Sequence, residues 1–293
     1  MTIREVIQHS TRFLEGKGVE SPRLQGEHLL AHVLGLPRLQ LYLNIDRPLT
    51  EAEISTTRAL VQRRGRREPL QHILGTANFA GLELKVTPDV LIPRPETELL
   101  AEQAANFLKS LAGRQPPEVL AATPLRMLDI GTGSGCLPIY VTHRLAECEA
   151  WTVDVSEAAI AIARENAGRH GVAERIHFVS GDAFAALDPE LRFDLIVSNP
   201  PYIPAEEIAT LDPEVRDHDP RLALDGGPDG LDFYRRIVRE AGNWLQPGGK
   251  LMLELGHDQA AAVHALCEGQ MWIVEAVLPD YSRIPRILIA RRG

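Results

Sequence analysis

From residue 125 onward the chain alternates between short apolar, β-branched runs and helical patterns, and no other feature constrains its fold as tightly. The strand-like runs are LRMLDI (125–130), AWTVDV (150–155), RIHFVS (175–180), FDLIVS (193–198) and KLMLEL (250–255). Helical patterns after Ser134, Ser156 and Gly230 separate several of them. Such alternation requires right-handed crossovers and yields a mainly parallel sheet covered by helices on both faces. Two further runs, WIVEAVL (272–278) and RILIAR (286–291), have only a tight turn region between them, which allows an antiparallel pair at the end of the sheet. The expected fold is α/β, a seven-stranded doubly wound, mainly parallel sheet.

The N-terminal part differs. Ile3, Val6, Ile7, Phe13 and Leu14 follow a helical spacing, Ser21-Pro22 reads as an N-cap with proline in the first turn, and Gly35-Leu36-Pro37 reads as a stop. Thr50 with Glu53 forms a capping-box pattern, opening a helix with Ile54, Leu60 and Val61 on its inner side. These signals predict a small all-helical domain over 1–75. NFAGLELKV then alternates around a glycine, predicting a hairpin linker over 76–90, with the C-terminal domain over 91–293. In LIPRPETELL the prolines hold the entry extended, and Glu96, Thr97 and Glu98 begin a helix. GRQPPEVLAATP (113–124) reads as a surface linker.

Charge and cysteine usage narrow the function classes. Apolar runs such as Leu251 to Leu255 are too short to cross a bilayer, and Arg4 and Glu5 stand where a signal core would begin. Cys136, Cys148 and Cys267 lack any Cys-x-x-Cys spacing, so neither a disulfide framework nor a thiolate metal site is expected. A cytoplasmic protein without membrane association follows. His28 and His32 have helical i, i+4 spacing but no intervening glutamate or third ligand, so no metal is expected. The net charge of −9 argues against direct nucleic-acid binding. Residues 1–75 nevertheless hold 11 Lys+Arg against 8 Asp+Glu, +3, leaving −12 for the rest. That excess centres on Arg63, Arg64, Arg66 and Arg67, read either as a solvated helix end or as a docking patch for an acidic partner.

Asp129-Ile130-Gly131-Thr132-Gly133-Ser134-Gly135 lies where the first sheet strand feeds a helix. Its glycines let the backbone approach a ligand beside a helix N-terminus. A dinucleotide fingerprint wants glycine at 136, where this chain has Cys136. Asp154, ending the second strand, is placed to accept hydrogen bonds from both ribose hydroxyls, and Asp182, after the third, to reach an adenine. S-adenosylmethionine, a dinucleotide and a plain structural turn all remain open on these residues alone.

Asn199-Pro200-Pro201-Tyr202 follows the fourth strand, on the same sheet edge as the glycine loop. Two prolines remove two N–H donors and leave carbonyls, and Asn199 adds a side-chain carbonyl. A loop rich in acceptors and poor in donors suits an NH2 group that must act as a nucleophile. The Asn199 side chain and the Pro200 carbonyl hold its two hydrogens, and Tyr202 stacks on the planar acceptor. Adenine and a carboxamide both meet this description.

The chain resembles the protein-(glutamine-N5) methyltransferases that act on peptide chain release factors, the HemK/PrmC family. FAGLELKV, LIPRPETELL, LDIGTGSGC, VSNPPYI and PEVRDHDPRLALDGGPDGLDFYRRI carry the resemblance, in that order and over essentially the whole length. It implies a class I S-adenosylmethionine-dependent methyltransferase fold with a small N-terminal helical substrate-recognition domain. It implies S-adenosylmethionine as cofactor, held by Gly131, Thr132, Gly133, Ser134, Gly135, Asp154, Asp182, Ala183 and Asn199. It also implies a release factor as partner, its Gly-Gly-Gln glutamine held by Asn199, Pro200, Pro201 and Tyr202. Family members often carry a bulky aromatic where Ala183 stands; Pro138 and His218 also depart from the pattern and are assigned no role. Arg94 reads either as helping to close the site or as a salt-bridged helix start. Ribosomal-protein glutamine methyltransferases share Asn-Pro-Pro-Tyr but resemble the 94–98 segment less, and adenine N6-methyltransferases of DNA or RNA remain the rival from another substrate class.

Overall fold

Helix α1 (Ile3–Glu15) opens on a capping box in which Thr2 Oγ1 accepts from the Glu5 N–H at 3.3 Å and Glu5 Oε2 from the Thr2 N–H at 2.8 Å. In α2 (Pro22–Leu34) proline takes the first turn, but Ser21 is left-handed (φ +46) and its side chain makes no cap bond. The expected serine cap is therefore absent, and proline alone starts the helix. After α3 (Arg38–Leu43), the Thr50–Glu53 capping box opens α4 (Glu51–Gly65), and α5 (Leu70–Leu74) follows. Ile3, Val6, Ile7, Leu30 and Leu41 form a core among these helices.

The computed structural model describes residues 1–293. By compactness they form two units, Met1–Thr76 with Asp212–His218, and Ala77–Leu211 with Asp219–Gly293. What draws the distant 212–218 segment into the helical unit is ionic. Arg64 Nη2 and Arg67 Nε reach Glu214 Oε1 at 2.7 and 2.6 Å, while Arg63 pairs with Glu68. Arg64 is only 4% exposed. Three arginines of the basic run, Arg63, Arg64 and Arg67, are thus committed within their own unit, while Arg66 stays exposed.

In the second unit, β1 (Thr76–Phe79) and β2 (Leu82–Lys85) form the hairpin and α6 (Pro95–Ala112) follows the extended prolines. The stretch read as a linker contains a short helix, α7 (Pro117–Ala122), because Leu120 finds a buried position. The sheet elements are β3 (Leu125–Ile130), α8 (Cys136–Arg144), β4 (Cys148–Asp154), α9 (Glu157–Arg169), β5 (Ile176–Ser180) and β6 (Phe193–Ser198). Beyond the helical turn α10 (Pro213–Arg216) come α11 (Asp232–Glu240), β7 (Leu245–Glu254), α12 (Ala260–Gly269), β8 (Trp272–Pro279) and β9 (Pro285–Arg292).

Strand order is β5-β4-β3-β6-β7-β9-β8, with β9 antiparallel to both neighbours and the other pairings parallel. The seven strands and the terminal antiparallel pair are as the sequence predicts. Apolar side chains such as Met127, Leu195 and Val197 enter one core, and Leu128, Ile196 and Leu253 the other, so the sheet is covered on both faces. Between β3 and β6 the winding reverses direction, the point at which open α/β sheets form their ligand crevice. No helix is long and apolar enough to cross a membrane.

Candidate active site

At the carboxyl edge of the sheet, Ile130 of β3 lies opposite Ser198 of β6, so the glycine loop and the Asn-Pro-Pro-Tyr loop leave the sheet side by side. A cavity of about 320 Å³ opens there, lined by Gly131, Gly133, Asp154, Asn199, Pro200 and Pro201 among others. Its size is that of a small-molecule site, roughly 300–1,000 Å³.

Gly131 has φ +83 and gives the cavity a wall of bare backbone, a conformation that a side chain would strain. Asp154, ending β4, accepts from the Gly133 N–H at 3.0 Å through Oδ2 and from the Ser156 N–H at 2.9 Å through Oδ1. Each oxygen keeps acceptor capacity for a ligand hydroxyl. Asp182 and Ala183 also line the cavity, Ala183 with φ +48. Asp182 is not free, however: Arg236 of α11 pairs with its Oδ1 and donates to its carbonyl at 3.0 Å. Phe233, three residues earlier on α11, lines the same cavity. The sequence reading missed both, since nothing in the α11 pattern separates a cavity-facing Phe from a core one.

Asn199 donates through Nδ2 to Thr97 Oγ1 at 3.0 Å, and Thr97 Oγ1 donates to Glu254 Oε2 at 2.7 Å. Oδ1 of Asn199 takes no partner from the chain. Glu254, at the end of β7, is 1% exposed. Burial drives its carboxyl up to about 7 against the opposing effects of the Thr97 hydrogen bond and Arg286. Arg94 reaches Asp219 Oδ2 at 2.5 Å, tying the start of α6 to the stretch whose Pro220 and Leu222 line the cavity. It is a salt-bridged helix start that also holds a wall.

Four of the expected site residues do not reach the cavity wall. The Thr132 hydroxyl bonds Thr152, which donates to Asp129 Oδ2 at 2.9 Å. The Ser134 carbonyl accepts from Asn166 Nδ2 at 2.9 Å. At Gly135 a Cβ would come within 3.0 Å of Ala163 Cβ and Ile139 Cδ1, so this glycine lets α8 pack on α9. The Tyr202 ring packs against the core that holds Tyr234 and Leu253 rather than lining the cavity, and the Tyr202 carbonyl accepts from Gln259 Nε2 at 2.8 Å. Burial, and then the nearby Glu254, push its hydroxyl up to about 12.

The charges on the wall test which ligand fits. Asp89, Asp154 and Asp182 face the cavity against one guanidinium, that of Arg236. A carboxylate-rich wall favours a cationic ligand and disfavours a pyrophosphate. S-adenosylmethionine, with its sulfonium and ammonium groups, fits; a dinucleotide does not.

Comparison with known proteins agrees. A family model described as the PrmC N-terminal domain matches residues 5–75, and one described as the methyltransferase small domain matches 117–212. The release factor glutamine methyltransferase of Geobacter sulfurreducens is 49% identical over 292 residues, spanning 100% of this chain and 97% of that protein. The chain belongs to the release factor glutamine methyltransferase family. The member from Chlorobaculum tepidum is 43% identical, across 97% of this chain and 95% of its own. Family membership makes this chain a methyltransferase that uses S-adenosylmethionine. A solved methyltransferase from Pyrococcus furiosus, 20% identical with a TM-score of 0.54, covers 79% of this chain and 98% of its own and shares the class I fold.

Proposed function

We propose that the chain methylates the side-chain amide nitrogen, N5, of the glutamine in the Gly-Gly-Gln motif of peptide chain release factors. The observation that carries this reading is Asn199, whose NH2 is already engaged by Thr97 while its Oδ1 is left unpartnered beside the cavity. Full-length similarity to relatives named release factor glutamine methyltransferase supports the choice of substrate.

The residues act by orientation. A carboxamide nitrogen is a weak nucleophile because its lone pair is delocalised into the carbonyl. Asn199 Oδ1 and the Pro200 carbonyl accept its two N–H bonds, which turns the lone pair toward the donor and stabilises the positive charge that grows on nitrogen. Pro200 and Pro201 contribute no N–H that would compete for that lone pair. S-adenosylmethionine, when bound, would supply an electrophilic methyl on sulfonium; the N–C bond would form as the C–S bond breaks and the extra proton would leave to water, so the site needs no strong base. Asp154 and the backbone of Gly131 and Gly133 would hold the adenosyl and methionine parts, with Phe233 and Ala183 on the same cavity wall available to the base. Tyr202 supports the loop from the core side. Cytoplasmic action without direct nucleic-acid binding fits a net charge of −9.

The test is to incubate the chain with S-adenosylmethionine and a release factor and to map modified peptides by mass spectrometry. One added methyl on the Gly-Gly-Gln glutamine is expected. Methylated adenine in a nucleic acid, with that glutamine unmodified, would overturn the assignment.

A further inference from the structure

Asn199 must turn its carbonyl, not its NH2, to the acceptor amide, because the incoming nitrogen brings two hydrogens that need acceptors. An asparagine side chain does not make that choice by itself. Its two ends have nearly the same shape, and a half-turn about the last torsion exchanges them. The neighbour decides, and the neighbour is Thr97.

The Thr97 hydroxyl has one proton, which it gives to Glu254 Oε2 at 2.7 Å. What remains toward Asn199 is lone pair, and it accepts from Nδ2 at 3.0 Å. A hydroxyl in that state has nothing to offer Oδ1. We infer that Thr97 and Glu254 are positioning residues for methyl transfer: the buried Glu254 carboxylate commits the Thr97 proton, and this turns the Asn199 carbonyl to the reacting amide. Neither residue touches substrate; both act through Asn199. The inference rests on the glutamine reading above.

The surroundings suit that task. Thr97 is 2% exposed and Glu254 1%, so water does not compete for either bond. The three residues come from the first turn of α6, the end of β7 and the loop after β6, elements fixed by separate packing. Tyr234 donates to the Glu254 carbonyl at 2.8 Å and holds the strand end. Burial, and to a lesser degree Glu96, work against the carboxylate form of Glu254, while the Thr97 hydrogen bond, Arg286 and Arg94 favour it.

A purely structural role, pinning α6 to the sheet, makes different predictions. The test measures single-turnover methylation of a release factor by the full chain, the Kd for S-adenosylmethionine and thermal melting. Thr97→Val should slow methyl transfer about 10- to 100-fold, somewhat less than removing the acceptor outright, with the Kd within threefold of wild type. Thr97→Ser, which keeps the hydroxyl, should recover most of the rate. Glu254→Gln should also be slow, because its amide can donate to Thr97 and release the Thr97 proton toward Asn199. In an Asn199→Ala background, Thr97→Val should add less than a twofold loss. Thr97→Val within threefold of wild type, or a full additional loss on top of Asn199→Ala, overturns the relay. If Thr97→Val does not fold, the same cycle with Glu254→Gln gives the same decision. A wild type that leaves the glutamine unmodified overturns the substrate assignment and the relay together; a wild type that methylates it, with both relay variants unimpaired, overturns the relay alone.

Discussion

The Gly133 N–H donates to Asp154 Oδ2 at 3.0 Å, so the acid at the end of β4 fixes the glycine loop as well as lining the cavity. Cofactor binding should therefore be sensitive to this carboxylate. A hydrogen bond to a charged group contributes about 1.5–3 kcal/mol, or roughly 10- to 150-fold in affinity. Asp154→Ala should weaken S-adenosylmethionine binding by that factor in calorimetry, while the rate at saturating cofactor changes less than fivefold.

Asn199→Ala separates binding from chemistry. It removes one of the two acceptors proposed to hold the amide hydrogens, and losing one positioned transition-state partner costs about 10²–10³ in kcat. The Kd for S-adenosylmethionine should stay within threefold. Turnover near wild type in this variant would remove the two-acceptor mechanism.

Asn166 predicts a stability effect that no cavity residue shares. Fully buried on α9, it accepts from the Lys85 N–H at 2.7 Å and donates to the carbonyls of Lys85 and Ser134 at 3.0 and 2.9 Å. It thus clamps strand β2 and the glycine loop to one helix. Asn166→Ala leaves three backbone groups without partners, at least about 3 kcal/mol given roughly 1–3 kcal/mol per orphan. At about 2–4 °C per kcal/mol for a unit of this size, the melting temperature should fall by about 6–12 °C or more.

Glu254 makes stability depend on pH in a defined direction. Its carboxyl is raised from 4.5 to about 7 in the folded state, so the folded chain binds this proton more tightly than the unfolded chain does. The contribution is complete below the unfolded value, is lost as pH rises toward about 7, and does not change further above it. Glu254→Gln lacks this titration. Wild-type Tm minus Glu254→Gln Tm, followed from pH 4.5 to 8.5 in steps of ~0.5, should decline across that window. A flat difference would show that Glu254 titrates normally.

Much of the architecture was legible in the sequence because it depends on local pattern. The strand and helix periods from Leu125 onward specify a doubly wound sheet, and the short turn before Pro285 allows the antiparallel end. The topology rule for parallel strands then places Gly131 and Asn199 on one edge. Asp154 and Asn199 were legible as candidates because one ends a strand at that edge and the other directly follows one. Helix α7 and the pairing of Arg63, Arg64 and Arg67 were not legible, since each depends on what the rest of the chain brings near.

The tertiary structure alone decided the roles inside the glycine loop and behind Asn199. Thr132, Ser134 and Gly135 have the same spacing as the cavity residues, but the backbone turn directs them into the loop's own support. Thr97 lies 102 residues before Asn199, and Glu254 157 residues beyond Thr97. No periodicity links positions so far apart. Sequence determined that an acceptor-rich loop would stand beside a ligand crevice, because strand ends and prolines act locally. Which way the Asn199 amide faces is a matter of a single proton on a buried hydroxyl, and only packing three distant segments together could settle it.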